Sequence, residues 1–413
     1  MDGGWKSKLT IDEQLQLIKR GTVEIVPEEG LRVKLKKAES EGKTLRIKLG
    51  LDPTAPDIHL GSAVVLRKMR QFQDMGHEVY IIIGDFTASI GDPSGRSVTR
   101  PQLSTEEIKA NAQTYYDQFC KILIPEKTKV VFNSEWLGPL GFAEVIKIAA
   151  KVTVARILER DDFATRLAEG KPISVHELMY PICQAYDSVF LKSDVEVGGT
   201  EQKFNIMMGR DLQGQYDQEE QIGLFMPILP GLDGVQKMSK SLGNYVGITE
   251  SPKDMFGKIM SLPDEMMPKF YELCTDVPLD EINTMWSDVQ AGKLHPMDMK
   301  KRLGKEIVAI YHCAEAGQHA VAEFERVFSN KEIPEDMPEV KLDSSLLIDG
   351  KIVIVKLLVS AGLAPSGNEA KRLVQQGGVS VDGTKITDIA TGVAIGDGII
   401  LRAGKLKFAH VTM

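Results

Sequence analysis

Two rhythms of apolar residues run along this chain. Ile11 to Thr22 repeats its apolar positions at helix spacing behind Thr10, a residue suited to capping a helix start. Glu28 to Glu39 predicts a second helix. Leu45-Arg46-Ile47-Lys48-Leu49 alternates apolar with basic residues and predicts a strand. The helical pattern from Ala63 to Met75 separates it from Val79-Tyr80-Ile81-Ile82-Ile83-Gly84. That run is short, continuous and β-branched, as in a strand buried on both faces of a parallel sheet. Lys129 to Phe132 predicts the next strand. Strands alternating with helices predict a doubly wound α/β domain, with its site at the carboxyl ends of the strands.

The rhythm changes downstream. From Ser251 to about Asn330 it is helical, with Met and Leu at helix spacing. Lys331 to Gly350 carries Pro334, Pro338 and several acids, and reads as a linker. Ile352 to Ala361 predicts a helix ended by Gly362, and a second follows with Ser366 or Asn368 near its cap. Val379-Ser380-Val381, an Asp382-Gly383 turn, Ile399 to Leu401 and Lys407-Phe408 predict a small sheet. The expected boundaries are 1–245, 246–330, a linker 331–350 and a small α+β domain 351–413.

A length of 413 residues suits two or three such domains. The chain has no apolar run long enough to span a bilayer and no signal-peptide pattern at its start, which predicts a cytoplasmic protein without membrane association. Cys120, Cys183, Cys274 and Cys313 are far apart and predict free thiols; His312 and His319 near Cys313 find no second ligand cluster. Net charge is −8, which argues against a protein that coats nucleic acid. The charge is uneven, however. From Lys351 onward eight basic residues face four acids, so the tail carries +4 and the remainder −12. A basic tail on an acidic body predicts one domain that meets a polyanion.

Three stretches carry candidate chemistry. Gly50-Leu51-Asp52-Pro53-Thr54-Ala55-Pro56-Asp57-Ile58-His59-Leu60-Gly61-Ser62 joins a strand to a helix start, an arrangement that presents backbone N–H groups to an anion. Lys237-Met238-Ser239-Lys240-Ser241, bounded by Gly231, Gly234 and Gly243, forms a mobile loop that suits phosphate. Each alone reads as an ordinary connection or a solvated basic loop. The dinucleotide and P-loop fingerprints are missing. Tyr180, Gln184 and Asp187 stand at i, i+4 and i+7 on one helix face, too polar for a core stripe.

In their order and separation, the first two stretches resemble the signature pair of class I aminoacyl-tRNA synthetases, and the remaining chain resembles the bacterial-type tyrosyl branch of that family over nearly its whole length. The resemblance implies a Rossmann-like catalytic domain, a helical domain on the anticodon side and a small RNA-binding module first named from a ribosomal small-subunit protein. It implies a tyrosine–tRNA ligase that uses ATP with Mg2+, without a dedicated protein cage for the metal. It also implies a homodimer bridged by tRNA(Tyr), with the dimer contact in an insertion at about 115–179.

By the same resemblance Thr54, His59, Lys237 and Lys240 are catalytic. Gly50, Leu51, Asp52, Gly61, Ser62, Gly199, Glu201, Met238, Ser239 and Ser241 join His59 and the two lysines in the ATP site. Lys48, Thr87, Asp92, Tyr180, Gln184, Asp187 and Gln202 form the tyrosine pocket, in which Asp187 accepts the phenol hydroxyl. A buried acceptor of that kind rejects phenylalanine, which would leave it unpaired. Lys371, Arg372 and Lys385 face tRNA. Three residues depart from the more familiar pattern. Lys48 stands where one branch has a tyrosine and is expected to belong to another bacterial branch, or to balance Asp187 electrostatically. Ser62 replaces a histidine and Glu201 an aspartate, both on the ATP ribose side. Two rival readings are an adenylate-forming paralogue outside translation and a non-catalytic RNA-binding protein on the same scaffold; the tail argues against the first and the Lys237–Ser241 loop against the second.

Overall fold

The computed structural model describes residues 5, 7–51, 58–88, 90, 113–328, 337–347, 350–396, 398–404 and 407–412. The chain divides into two units, 1–317 and 318–413.

In the first unit the helix Ile11–Lys19 begins at Thr10 with a reciprocal cap. The Thr10 side chain accepts from the Glu13 amide, and the Glu13 carboxylate accepts from the Thr10 amide at 2.7 Å. Six strands form the sheet: β1 Glu24–Val26, β2 Arg46–Leu51, β3 Glu78–Ile83, β4 Thr128–Phe132, β5 Val195–Gly199 and β6 Ile222–Met226. Their spatial order is β1-β6-β5-β2-β3-β4, parallel except for the edge strand β1, which runs antiparallel to β6. Ile47, Leu49, Val79, Ile81, Val195 and Leu224 are buried between the helical layers, as expected of strands covered on both faces. β1 escapes a pattern reading because three residues offer too little alternation to count.

Chain order reverses beside β2. It leads to β3 and β4 on one side, while β5 and β6 lie on the other. A crevice opens at the carboxyl ends of strands around such a reversal. Two helices frame it. Leu60–Asp74 starts directly after His59, a turn earlier than the apolar rhythm suggests, because Leu60 is already buried in its first turn. Val175–Leu191 starts at Ser174 with a second capping box and carries the Tyr180–Gln184–Asp187 face.

β4 falls inside the range 115–179 read as an insertion, so that range overlaps the sheet. The excursion that follows β4 holds the helices Ser134–Leu137, Phe142–Ala149, Val154–Ile157 and Asp161–Ala168. It leaves Phe142 81%, Val154 60% and Leu167 57% exposed, together with Val175 at 77% on the next helix.

Four further helices, Pro252–Met260, Met267–Cys274, Leu279–Gln290 and Pro296–Tyr311, follow β6. Polar side chains tie this part to the sheet layer through helix ends. Lys68 Nζ donates to the carbonyls of Ile18 and Arg20, each at 2.8 Å, and the Arg20 guanidinium reaches the Thr275 carbonyl at 3.0 Å. Each cation thus meets the carbonyl-rich end of a helix.

The second unit begins within the helix Ala314–Phe328. Its strands are β7 Glu339–Lys341, β8 Ile352–Val353, β9 Val379–Val381, β10 Thr384–Ile386, β11 Gly392–Val393, β12 Ile399–Ala403 and β13 Lys407–Thr412. Five form a sheet in the order β10-β9-β12-β13-β7, and β8 pairs with β11. β7 and the buried Leu342 correct the linker reading of 331–350: this stretch contributes an edge strand, parallel to β13, and part of the core. Its prolines and acids masked a three-residue strand. Ser366 caps the helix Gly367–Gln375 by accepting from the Glu369 amide. Asp382 and Gly383, at φ +46° and +80°, make the two-residue turn between β9 and β10.

Gly304 permits the helices Pro252–Met260 and Pro296–Tyr311 to cross closely: a Cβ there would stand 2.8 Å from the ring of Phe256, itself 1% exposed. Gly304→Ala is therefore expected to destabilise the first unit by about 1–3 kcal/mol, since a buried ring must shift. A fall in the urea-unfolding midpoint checks it; an unchanged midpoint contradicts it.

Candidate functional site

A cavity of about 680 Å³ occupies the crevice. Its walls come from the ends of β2 (Leu49, Gly50, Leu51), β3 (Ile82, Gly84) and β5 (Val197, Gly198, Gly199), from the start of Leu60–Asp74, from Val175–Leu191 and from the loop 227–241. The described residues predicted for both sites, Lys48 excepted, converge here. His59, Gly61, Ser62, Gly199, Glu201 and Lys237 to Ser241 line one part; Thr87, Tyr180, Gln184, Asp187 and Gln202 line the wall as well. Asp52, Thr54 and Asp92 lie outside the described residues.

Asp187 is the most constrained group. Burial pushes its carboxyl up to about 7, against the nearby Lys48 charge and the Trp136 and Asn133 donors, which favour the ionised form. Trp136 Nε1 donates to Oδ1 at 2.8 Å and Asn133 Nδ2 lies 3.4 Å from Oδ2. Asn133 Nδ2 also donates to the Thr87 hydroxyl at 3.2 Å. The Trp136 indole is held by stacking on Phe190, with centroids 4.6 Å apart. Neither Asn133 nor Trp136 was singled out from sequence. Their one available signal was position, immediately after a predicted strand.

Lys48 sits behind this wall rather than on it. The β2–β5 register sets Lys48 beside Glu196, and Nζ reaches Glu196 Oε1 at 3.0 Å and Ser188 Oγ at 2.7 Å. Both charged side chains are almost fully buried. Gln221 Nε2 donates to the other Glu196 oxygen at 2.6 Å, so the pair is enclosed by polar partners. Lys48 thus acts on Asp187 through its field.

Gln184 projects from the helix face with Oε1 buried and without a hydrogen-bond donor among the described residues. A buried unpaired carbonyl oxygen costs about 1–3 kcal/mol, a cost that a ligand N–H would relieve. Tyr180, one turn earlier, is buried with the Arg160 guanidinium 6.0 Å from its ring centroid.

The opposite wall is built for anions. His59 is the cap of Leu60–Asp74: its Nδ1 accepts from the Ser62 amide at 3.3 Å, and Ser62 Oγ lies 3.4 Å away. Burial, then the Lys240 charge, lowers its pKa to about 4. The ring is neutral at pH 7, and with Nδ1 accepting an amide its proton resides on Nε2 as a donor. Gly61 leaves room for these neighbours: a Cβ there would stand 3.0 Å from the His59 ring and 3.3 Å from Met238, and both would have to give by a few tenths of an ångström. Met238 is buried, and its sulfur lies 3.3 Å from the Gly61 amide. Lys237 is exposed and Lys240 partly so. The Glu201 carboxylate folds over Gly199, where it would collide with any Cβ.

In the second unit, Lys371 and Arg372 are exposed on the helix Gly367–Gln375, and Lys385 is exposed on β10.

Comparison with known proteins shows the family. Residues 40–329 match the family model of tRNA synthetases class I (W and Y), and residues 354–399 match that of the S4 domain. A tyrosine–tRNA ligase of Moorella thermoacetica is 57% identical over 410 residues, covering 99% of this chain and 98% of the relative. One of Carboxydothermus hydrogenoformans is 59% identical, covering 92% and 93%. The solved structure of an Archaeoglobus fulgidus tyrosyl-tRNA synthetase complexed with L-tyrosine is 26% identical, with a TM-score of 0.61, and spans 76% of this chain and 100% of that one. The match over residues 40–329 defines a class I synthetase. The chain belongs to the class I tRNA synthetases of the tryptophan and tyrosine group, and its curated relatives are tyrosine–tRNA ligases.

Because the folded Asp187 pKa is raised from 3.8 to about 7, its contribution to stability is full below about 4 and is lost as pH rises through 7. Aspartate carboxyl resonances should include one with a midpoint near 7. Trp136→Phe should move that midpoint upward, because a donor favouring the charged form is lost. A midpoint unmoved by the substitution would separate Trp136 from the titration.

Proposed function

We propose that this chain is a tyrosine–tRNA ligase that works in two steps. A tyrosine carboxylate oxygen attacks the α-phosphorus of ATP, the bond to pyrophosphate breaks, and tyrosyl-adenylate forms. The terminal adenosine hydroxyl of tRNA(Tyr) then attacks the activated carbonyl, and AMP leaves. The observation that carries this reading is the pairing, in one cavity, of a buried Asp187 and an unpaired Gln184 oxygen with the anion-suited wall of His59, Gly61 and the Lys237–Ser241 loop.

Each role follows from chemistry. Asp187 accepts the phenol hydroxyl while Trp136 and Asn133 fix its orientation. Gln184 Oε1 accepts from the substrate ammonium beside Tyr180, with Asp92 completing that end. Thr87 and Gln202 line the tyrosine side, and Lys48 helps to keep Asp187 ionised from behind. Neutral His59 donates from Nε2 to phosphate oxygens, and Thr54 joins it. Gly50, Leu51, Asp52, Gly61, Ser62 and Gly199 bring backbone close to the nucleotide, and Glu201 accepts from ribose. Lys237 and Lys240 neutralise charge that builds on the departing pyrophosphate, with Met238, Ser239 and Ser241 shaping their loop. The nucleotide enters as its Mg2+ complex, so the metal arrives with the substrate.

The exposed apolar side chains Phe142, Val154, Leu167 and Val175 support a symmetric dimer formed through the excursion after β4. Lys371, Arg372 and Lys385 meet the tRNA backbone. No helix among the described residues is long and apolar enough to cross a membrane, and we place the protein in the cytoplasm with its tRNA substrate. Tyrosine-dependent ATP–pyrophosphate exchange followed by charging of purified tRNA(Tyr) tests the whole reading; exchange without charging would point to adenylate formation for another purpose.

Lys237→Ala and Lys240→Ala should each lower the exchange rate about a hundredfold or more, the scale of a lost charge-stabilising group, with tyrosine affinity unchanged. Loss of tyrosine binding with a normal saturated rate would contradict the assignment. Replacing Lys371, Arg372 and Lys385 together with Ala should leave exchange intact, weaken tRNA charging and flatten its salt dependence. Full charging by that variant would remove these residues from the RNA face.

A further inference from the structure

The Lys237–Ser241 loop is partly exposed and rich in long side chains, yet its backbone is pinned at two points by one residue that no function assigned so far uses, and a third bond anchors that residue outside the loop. Asn244 is 7% exposed. Its Oδ1 accepts from the Ser239 amide at 2.8 Å. Its Nδ2 donates to Asp233 Oδ2 at 2.8 Å and to the Lys237 carbonyl at 3.2 Å. The fixed amide donor at Ser239 and the fixed acceptors at Asp233 and Lys237 leave only one orientation for the side-chain amide.

Asp233 is itself built into the backbone. Its Oδ1 accepts from the Val235 and Gln236 amides at 2.8 and 2.9 Å, a turn that opens the loop. The Asn244 backbone adds a further tie, accepting from the Leu232 amide at 2.9 Å. Gly231 makes room for the arrangement: a Cβ there would stand 2.2 Å from Asn244 Nδ2. The entrance of the loop and its middle are thus joined through one carboxamide.

We propose that Asn244, anchored on Asp233, is a positioning residue that orients the backbone between Lys237 and Ser239, so that the flanking lysine side chains reach the phosphates together. The proposal rests on the reading that Lys237 and Lys240 stabilise the transition state. A group that acts through geometry alone affects the rate-limiting charge stabilisation and leaves remote substrate contacts unaffected. The tyrosine wall lies on Val175–Leu191, which Asn244 does not touch through any of the bonds named.

The test is tyrosine-dependent pyrophosphate exchange by the full chain at saturating ATP. Asn244→Ala should lower kcat by about tenfold to a hundredfold, the scale of a slight misplacement of reacting groups, and leave the tyrosine KM within about twofold. Asn244→Asp sets two carboxylates against each other and should be at least as slow. Adding Asp233→Asn to Asn244→Asp restores a donor facing a carboxylate and keeps the bond from Ser239, but loses the donor to the Lys237 carbonyl and leaves a carboxylate oxygen facing it. The swapped chain should recover part of the rate lost in Asn244→Asp, a rescue that a general loss of folding does not produce. Hydrogen exchange at the Ser239 amide should quicken in Asn244→Ala and slow again in the swap.

Lys240→Ala serves as the control. If it is slow while Asn244→Ala and Asn244→Asp keep the natural kcat, the positioning role is overturned and the loop reading stands. If Lys240→Ala is also fast, the loop reading fails and the positioning role fails with it. If Asn244→Ala loses tyrosine binding as well, the swap decides: recovery supports the proposal and its absence overturns it.

Discussion

The structure depends on keeping a charged pair buried inside the sheet layer. Lys48 and Glu196 face each other across β2 and β5 in the parallel register, 3.0 Å apart and nearly inaccessible. A lone charge there would cost several kcal/mol, and either partner without the other would disrupt both strands. Ser188 and Gln221 satisfy the remaining lone pairs and protons. The pair therefore fixes the adjacency of β2 and β5, the two strands whose ends form the floor of the cavity. Within the pair the Lys48 charge works against the burial that pushes the Asp187 carboxyl up, and the Glu196 charge adds to that burial.

From that floor the site divides by the kind of element that supplies each part. The proposed amino-acid side is carried by a capped helix, a strand and a tryptophan stacked on phenylalanine, with Tyr180, Asp187 and Trp136 buried. The proposed nucleotide side is carried by glycine backbone, a helix N-terminus and a partly exposed loop. Recognition of one small substrate calls for fixed partners, whereas charge that moves during reaction calls for groups that can follow it.

Much of this was legible in the chain, and for identifiable reasons. Tyr180, Gln184 and Asp187 share a helix face, and a 3.6-residue period reveals such faces without tertiary information. His59 was legible as a helix start because prolines and glycines crowd the residues before it. The residues that escaped share the opposite property. Glu196 sits as one acid within Val195-Glu196-Val197, and nothing local says that a lysine lies beside it; the register is a tertiary fact. Asn133 and Trp136 occupy a short segment after β4 with no period to read. β1 and β7 have three residues each, too few for alternation, and β7 lies among prolines and acids that suggest a linker. Asn244 follows a glycine in what reads as the tail of a basic loop, and only its three partners give it meaning.

The contact between the Met238 sulfur and the Gly61 amide has a further consequence. A thioether is among the weakest acceptors a side chain can offer. The amide at the helix start is thereby shielded from water by a partner it gives up at little cost. In the proposed nucleotide site an arriving phosphate oxygen would displace it with a strong charge-assisted bond, an exchange that runs downhill. A carboxylate or hydroxyl in place of the sulfur would compete with the nucleotide for the same hydrogen and hold the loop down as a self-inhibitor. The methionine is thus suited to act as a placeholder: tight enough in packing to order the loop, and poor enough as a ligand to be evicted.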